Sequence, residues 1–254
     1  MSVDTHRHGL IKLLRRRSKT LVLKVLGIDT KPKPYLYDIS RLERIVEYGW
    51  VLRNLGDDVN TILDVGCAGT LFPIQLASLG YKVVGIDLRD YPYTHPNFRF
   101  VKGDVFDIDK LLPEEQFDAV TLISTLEHIG ILYRTEDTID LDADVKTIRI
   151  LSRKLTERGK ILITIPVGKF KILKRCRLPE EEFPEPVIPW LKVYDREHIN
   201  RLATGTLTIE KIDYFINENG YWRPAHEEEA MKYDYPEVGA KIKSIACLIL
   251  RKSM

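Results

Sequence analysis

Long apolar runs and cysteines are both scarce in this chain of 254 residues. No uninterrupted stretch approaches the roughly 18 apolar residues that a membrane-spanning helix needs, so we expect no such helix. The three cysteines, Cys67, Cys176 and Cys247, are far apart and have neither zinc-ligand nor disulfide spacing. Arg and Lys interrupt the N-terminal apolar residues, which is not typical of a secretory signal. These absences predict a cytoplasmic protein without structural disulfides.

Neither sign of charge dominates, because the formal net charge is only +2. Residues 1–26 hold seven Lys or Arg and one Asp, so the remainder is mildly acidic. This distribution is unlike the broad basic surface of a nucleic-acid enzyme, and we expect no nucleic-acid partner. The basic residues in 7–24 alternate with apolar ones at roughly helical spacing. They predict either a peripheral contact with a membrane surface or a terminal helix packed on the body.

Short apolar runs alternate with helix-like segments beyond residue 56. The strand-like runs are 61–65, 82–86, 98–101, 119–123, 160–165, 209–216 and 244–250. Helical segments, each followed by Gly, occupy 71–79 and 145–155, and Asp195 is placed to cap another. This alternation predicts an α/β fold, in which a doubly wound, mostly parallel sheet is covered by helices on both faces.

The segment 1–56 is predicted as an N-terminal helical appendage, and 57–254 as the main domain. Ser40 and Glu43 have the spacing of a capping box, and Gly56 is placed to end the helix that follows. The apolar stripe predicted for that helix consists of Leu42, Ile45, Val46 and Leu52. Residues 167–193, rich in Lys, Glu and Pro, interrupt the alternation and predict an insertion or lid.

The segment 62–70, Ile-Leu-Asp-Val-Gly-Cys-Ala-Gly-Thr, has the pattern of a strand, a glycine turn and a helix start. Gly66 and Gly69 allow the backbone to approach a ligand where a Cβ would collide with it. Asp64, just before the turn, would repel the pyrophosphate of a dinucleotide. A carboxylate there suits S-adenosylmethionine (SAM), which has a cationic sulfonium and ammonium and no phosphate. The turn therefore favours SAM over NAD or FAD.

Two further acids follow neighbouring strands. Asp87 ends the second strand, where a carboxylate can accept hydrogen bonds from both ribose hydroxyls of a nucleoside cofactor. Asp104 follows the third strand and is placed to accept from an adenine amino group, with Val105 against the ring. For each acid the alternative is a solvated loop aspartate.

The segments 64–69, 103–104, 117–120 and 158–160, together with Asp87, resemble the class I SAM-dependent methyltransferases in order and spacing. The small-molecule branch of that family is the most similar. The resemblance implies a Rossmann-like sheet of seven strands whose last strand, near 244–250, is antiparallel. It also implies methyl transfer from SAM to the oxygen or nitrogen of a small-molecule, sugar or lipid-linked acceptor.

The resemblance also implies roles for individual residues. Asp64 and the glycine loop would hold the methionine part, Asp87 the ribose and Asp104 the adenine, with Leu88 packed against the base. The loop residues concerned are Gly66, Cys67, Ala68 and Gly69. The usual loop has glycine where this chain has Ala68 and Thr70, so its path at Gly69 is expected to differ.

The methyl acceptor is expected near the end of the fourth strand, where the chain reads Ser-Thr-Leu-Glu-His-Ile-Gly from Ser124. Some family members have a Glu-His pair at this place, which makes Glu127 and His128 the catalytic candidates. A histidine has a pKa suited to proton transfer near neutral pH, so His128 is a candidate base. The alternative is that both residues only shape the cofactor pocket. Ser124 is grouped with the cofactor-binding residues.

A metal site is the weaker interpretation of Asp140, Asp142 and Asp144. Hard cations do take carboxylates. However, one of the last two acids can instead cap the helix that follows. We therefore predict no metal.

Two other functions compete with methyl transfer. A nicotinamide-dependent oxidoreductase would need Gly-x-Gly-x-x-Gly and a hydride-site group such as Tyr-x-x-x-Lys, and neither is in the right place. A non-catalytic module that keeps the fold stays open because of Ala68 and Thr70.

Overall fold

The computed structural model describes residues 43–132, 138–176 and 186–253. Two predicted features, the basic segment 7–24 and the contribution of Ser40 to a capping box, lie outside these residues. Within the described ranges, no helix has the length and apolar character needed to cross a membrane.

Six helices and ten strands occur in the described residues. The helices α1 to α6 are Arg44–Leu55, Phe72–Ser78, Ile108–Leu111, Ala143–Ser152, Arg196–Arg201 and Glu227–Ala230. The strands β1 to β10 are Thr61–Val65, Lys82–Asp87, Phe98–Lys102, Phe117–Ile123, Leu155–Pro166, Lys171–Cys176, Val187–Val193, Leu207–Glu218, Tyr221–Ala225 and Ser244–Lys252. Short 3₁₀ turns span Val105–Asp107 and Leu126–His128.

Eight strands form one sheet in the order β3-β2-β1-β4-β5-β10-β8-β9. The first five are parallel, and β10 lies antiparallel between β5 and β8. The predicted doubly wound, Rossmann-like fold with an antiparallel last strand is confirmed. The count of seven strands is wrong, because β9 pairs with β8 through a turn at Asn219 and Gly220, both at positive φ. Asn-Gly is a strong hairpin signal in the sequence.

The two faces of the sheet bury different residues of the same strands. Leu63 and Val65 of β1 join a cluster that includes Ile148 and Leu151 of α4. Ile62, which precedes Leu63, joins a second cluster with residues of α1 and α2. Because side chains alternate across a strand, Asp64 lies on the same face as Ile62, toward α1. This places the buried acid of the glycine turn opposite the first described helix.

The apolar stripe predicted for α1 is wrong. Ile45 is 61% exposed and Leu52 is 38% exposed, while Leu42 lies outside the described residues. Glu43 occupies the N-cap position of the helix, not the third helical position of a capping box. The buried face consists instead of Arg44, Glu47, Trp50, Val51 and Leu55. Burying two charged side chains in the first turn would be costly if this helix only covered the hydrophobic core. Their burial indicates that this end of the helix has a further role.

Residues 167–193 contain a second sheet, in which β6 and β7 pair antiparallel. A buried ion pair connects β7 with α4, because Lys192 Nζ lies 2.7 Å from Asp144 Oδ2. The hydroxyl of Tyr194 donates to the same carboxylate oxygen at 2.9 Å. These contacts hold the hairpin formed by β6 and β7 against the main domain.

Lys192→Met should destabilise the protein strongly, because it leaves the buried carboxylate of Asp144 without its cation. We expect a loss of roughly 3–5 kcal/mol in the free energy of unfolding, measured by urea denaturation. The control is Lys146→Met, which breaks an exposed pair with Asp140 and should cost less than about 1 kcal/mol. Equal small losses in both variants would show that the buried pair does not hold the hairpin.

Gly66→Ala should disturb the glycine turn through both conformation and contact. Gly66 has φ +77°, and a Cβ there would lie 2.3 Å from Thr125 Cγ2. Gly205 has a similar φ of +65° but nothing within 4 Å of a Cβ. Both alanine variants carry the backbone strain of about 1–3 kcal/mol, and only Gly66→Ala should add a steric cost. Thermal unfolding of the two variants compares these costs, and equal shifts would contradict the close approach of the turn to Thr125.

Candidate functional site

The carboxyl ends of β1, β2, β3 and β4 meet at one edge of the sheet, because these strands are parallel. In parallel α/β sheets, ligands bind outside this edge. The acids predicted from the sequence lie at three of these strand ends, and the Glu127–His128 pair follows the fourth. The structure therefore brings the predicted residues to one edge.

The glycine turn after β1 is held close to its neighbours. The Gly66 N–H donates to the Ile86 carbonyl of β2 at 2.8 Å. Gly69 also has a positive φ, of 90°. The Cys67 and Ala68 side chains are buried beneath the turn, with Tyr91 in the same cluster. The loop therefore presents its backbone at the edge while its two side chains pack inward.

Asp64 is a buried carboxyl on the α1 side of the sheet. Register pairs it with Thr121 of β4, whose hydroxyl donates to Asp64 Oδ1 at 2.6 Å. Burial raises the pKa of Asp64 to about 7, and the nearby Asp87 carboxylate adds to the rise. A cation at this position would favour the ionised form of Asp64.

A narrow pocket separates α1 from the glycine turn. Its lining residues are Arg44, Tyr48, Asp64, Val65, Gly66, Thr70, Phe72 and Ile123. One wall is the buried guanidinium of Arg44, which pairs with the buried Glu47 one helical turn later. Within the described part of the chain, Arg44 Nε has no hydrogen-bond partner. The pocket therefore has a carboxyl and a guanidinium among its lining groups.

Ser124 connects α1 with the end of β4. Its hydroxyl donates to Glu47 Oε1 at 2.8 Å, and its N–H donates to Thr164 Oγ1 at 2.9 Å. Ser124 has a φ of +42°, which is uncommon for a residue other than Gly. The strained serine therefore positions Glu47, and through it Arg44.

Asp87 is buried at the end of β2 and is already bonded. Its Oδ2 accepts from the Ala68 N–H at 2.8 Å, and its Oδ1 accepts from the Arg89 N–H at 2.9 Å. The Arg89 side chain lies over the same carboxylate and donates to the Ala68 carbonyl at 2.8 Å. The next residue, Leu88, is 66% exposed at this edge. Arg89 was not anticipated from the sequence.

Asp104 caps the 3₁₀ turn after β3, where its Oδ1 accepts from the Phe106 N–H at 3.0 Å. The neighbouring Val105 is buried in the main core, whereas Phe106 is 41% exposed. Phe106 therefore adds exposed apolar surface next to Asp104, where the sequence had suggested Val105.

Glu127 and His128 lie in the turn after β4, beneath the hairpin of β6 and β7. His128 Nδ1 is 2.7 Å from the Trp190 carbonyl, so Nδ1 carries a proton and the neutral ring has its lone pair on Nε2. Burial lowers the pKa of His128 to about 4. Glu127 is buried, and its Oε1 lies 3.9 Å from His128 Nε2. Burial raises the pKa of the Glu127 carboxyl well above its usual value, and Glu47 adds to the rise.

The three aspartates 140, 142 and 144 each pair with a cation. Asp140 pairs with Lys146, Asp142 with Arg201, and Asp144 with Lys192. Within the described ranges, no three His, Cys, Asp or Glu side chains are arranged to hold a metal ion.

Sequence reasoning missed Arg44 and Glu47. Their spacing of three residues, followed by Val51 and Leu55, marks one helical face, and that pattern was available in the sequence. It was overlooked because a search for apolar residues assigns a charged pair to the solvent side of a helix.

Comparison with protein families identifies a relationship over most of the chain. A family described as a methyltransferase domain matches residues 21–206. The ubiquinone biosynthesis O-methyltransferase of Pseudomonas paraeruginosa is 30% identical over 109 residues, which are 40% of this chain and 45% of that protein. The chain thus matches less than half the length of this curated relative.

Solved structures share the fold at low sequence identity. The 1,6-didemethyltoxoflavin-N1-methyltransferase of Burkholderia thailandensis, bound to its substrate and S-adenosylhomocysteine (SAH), has a TM-score of 0.52 and 13% identity. The match covers 97% of this chain and 90% of that one. The N-methyltransferase NodS of Bradyrhizobium japonicum, also with SAH, has a TM-score of 0.51 and 14% identity, covering 89% and 94%. The family match spans well over half of the residues, and the chain therefore belongs to the methyltransferase-domain family.

Proposed function

We propose that this chain binds SAM at the edge formed by the ends of β1 to β4 and transfers its methyl group to the oxygen or nitrogen of a small-molecule acceptor. The observation that carries the proposal is the placement of Asp64, Asp87 and Asp104 at the ends of three adjacent strands. Along one edge, these acids match the methionine, ribose and adenine parts of SAM in that order.

The pocket between α1 and the glycine turn suits the methionine part. SAM has an ammonium and a carboxylate at this end, and the pocket has Asp64 and Arg44 on its walls. The Nε of Arg44 has no partner among the described residues, and it is a donor that an incoming carboxylate would satisfy. Thr125 fills the space next to Gly66, so only glycine leaves room for the backbone there. The residues present therefore fit SAM.

The other end of the edge suits the nucleoside. Asp87 would accept hydrogen bonds from the ribose hydroxyls. For this, the Arg89 side chain has to break some of its hydrogen bonds to the carboxylate. The Arg89 side chain is 59% exposed, so it would turn toward solvent as the ribose takes its place. Leu88 and Phe106 follow β2 and β3, and their exposed apolar side chains would pack against adenine. The roles of Cys67 and Ala68 are to shape the turn and, for Ala68, to orient Asp87.

SAM, when bound, supplies a methyl carbon already activated by a sulfonium, so the protein has mainly to align the acceptor and exclude water. The hairpin of β6 and β7 would cover the acceptor side, with Trp190 holding His128 in one tautomer. His128 Nε2 is placed to accept a hydrogen bond from the acceptor. A pKa near 4 makes His128 a weak proton acceptor at neutral pH, so we assign it to orientation.

Localisation and membrane contact stay predictions from the sequence. We propose a cytoplasmic enzyme, because the chain has few, scattered cysteines. Peripheral membrane contact through residues 7–24 would favour a lipid-linked acceptor.

Asp87→Asn should weaken the binding of both SAM and SAH, because the ribose hydroxyls lose a charged acceptor. We expect Kd to rise about 10- to 100-fold, the equivalent of a charged hydrogen bond of roughly 1.5–3 kcal/mol, measured by isothermal titration calorimetry. The control is Asp90→Asn, which neutralises a nearby exposed acid paired with Lys102 and should leave Kd unchanged. Absence of binding to either ligand by the folded wild type would refute the proposal.

SAM binding should strengthen as pH rises through about 7, with release of a proton. The raised pKa keeps Asp64 protonated below that pH in the free protein, and the cationic groups of SAM favour the ionised form. The free energy of unfolding has the opposite pH dependence. Between about pH 4 and 7, Asp64 keeps its proton in the folded state and has lost it in the unfolded chain. Stability should therefore fall as pH rises across this interval.

Asp64→Asn should remove both dependences. The measurements are calorimetry in buffers of different ionisation enthalpy and urea unfolding at several pH values. Proton release that persists in the variant would mean that another group titrates.

A further inference from the structure

Three carboxyl groups surround one guanidinium beside the turn after β4. Glu43 and Glu47 come from α1, Glu127 comes from the turn, and Arg44 lies among them. Arg44 Nη1 pairs with Glu47 and lies 3.8 Å from Glu43 Oε1. The cluster therefore has more acids than cations.

Glu127 is the member that the protein leaves unsatisfied. Glu47 accepts from both Ser124 and Arg44. By contrast, Glu127 is 2% exposed, and its Oε2 has no hydrogen-bond partner among the residues that the structure describes. A buried polar atom without a partner costs roughly 1–3 kcal/mol, so a ligand that donates to it is favoured.

The surroundings of Glu127 select the charge of that ligand. Burial and the charges of Glu47 and Glu43 raise the pKa of its carboxyl well above the usual value. The pKa of Glu43 is raised as well, by burial and by Glu47. A cationic ligand would reduce the repulsion among the carboxyl groups of Glu43, Glu47 and Glu127, whereas an anionic ligand would increase it.

We propose that Glu127 recognises the methyl acceptor as an amine that arrives as an ammonium ion. This inference rests on the proposed function and narrows its acceptor class from oxygen or nitrogen to nitrogen. A hydroxyl acceptor would develop negative charge as it lost its proton, next to an excess of carboxyl groups. His128, with its lowered pKa, is also poorly suited to remove a hydroxyl proton.

The protons balance in the following way. Glu127 loses its proton to solvent as the ammonium binds, and a carboxylate–ammonium pair forms. In the dry site, the ammonium then returns one proton to Glu127, which leaves a neutral amine whose lone pair is free. That lone pair forms the new N–C bond while the C–S electron pair stays on sulfur. The product is an N-methylammonium, and no further base is needed.

The test follows the ionisation of Glu127 in the complex with SAH. The protein is labelled with ¹³C at the glutamate side-chain carboxyls, and the Glu127 resonance is identified by its loss in Glu127→Gln. Propylamine should move this resonance saturably to the ionised position, and propan-1-ol should not. Calorimetry should show propylamine binding at least tenfold more weakly to Glu127→Gln. Other groups that face Glu127 are Glu43, Arg44, Glu47, His128 and Tyr194.

The control is Glu114→Gln, which removes an exposed acid before β4, at the opposite edge of the sheet, and should leave amine binding unchanged. Glutamine is uncharged and nearly the same size as the Glu127 side chain, so the fold and the Kd for SAH should be preserved. If the variant does not fold, the wild-type resonance still decides the question.

Several outcomes would overturn the assignment. No saturable shift with propylamine, or an equal response to propan-1-ol, would exclude an amine at Glu127. A loss of SAM affinity in Glu127→Gln that greatly exceeds the loss of SAH affinity would assign the carboxyl to the sulfonium. Failure of SAH itself to bind would refute the proposed function. That result differs from normal SAH binding without propylamine binding, which would refute only the assignment of Glu127.

Discussion

The parallel pairing of β1 with β2 and β4 is the constraint on which the candidate site depends. Register places Asp64 beside Thr121, and the hydroxyl of that threonine holds the buried carboxyl in one orientation. The same pairing brings the Gly66 N–H to the Ile86 carbonyl and so fixes the start of the turn. A shift of one residue would turn Asp64 to the other face and replace it with an apolar side chain. Strand register therefore determines where the groups of the candidate site lie, and the loops after the strands add to it.

The second half of the site comes from α1, and it explains why this helix has charges on its buried face. Val51 and Leu55 pack in the core near the opposite end of the helix. Arg44 and Glu47 continue the same face to the site edge, where Ser124 fixes Glu47. One helical face thus changes from apolar to charged along its length. The helix is anchored at one end by hydrophobic contact and serves the site at the other.

The fold and the three acids could be predicted because each depends on local patterns: period-two strands, a glycine turn, and an acid after each strand. The partners of those acids could not. The Arg89 side chain over Asp87, and the bond from Ser124 to Glu47, depend on rotamers and on contacts between distant segments. The stripe assigned to Ile45 and Leu52 was wrong for a related reason. Hydrophobicity alone ranks isoleucine above arginine for burial. In α1 this order is reversed, because Arg44 faces the candidate site and Ile45 faces away from it.

The charges of the site differ systematically along its edge. At the β1 end, Asp64 and Arg44 both line a narrow pocket, which suits a ligand with both an ammonium and a carboxylate. At the turn after β4, acids outnumber cations among the described residues, and Glu127 Oε2 has no hydrogen-bond partner among them. A zwitterion matches the first region and an isolated cation matches the second. Because a buried polar group is costly without a partner, this asymmetry supports the two proposed ligands, a zwitterion at the first region and a cation at the second.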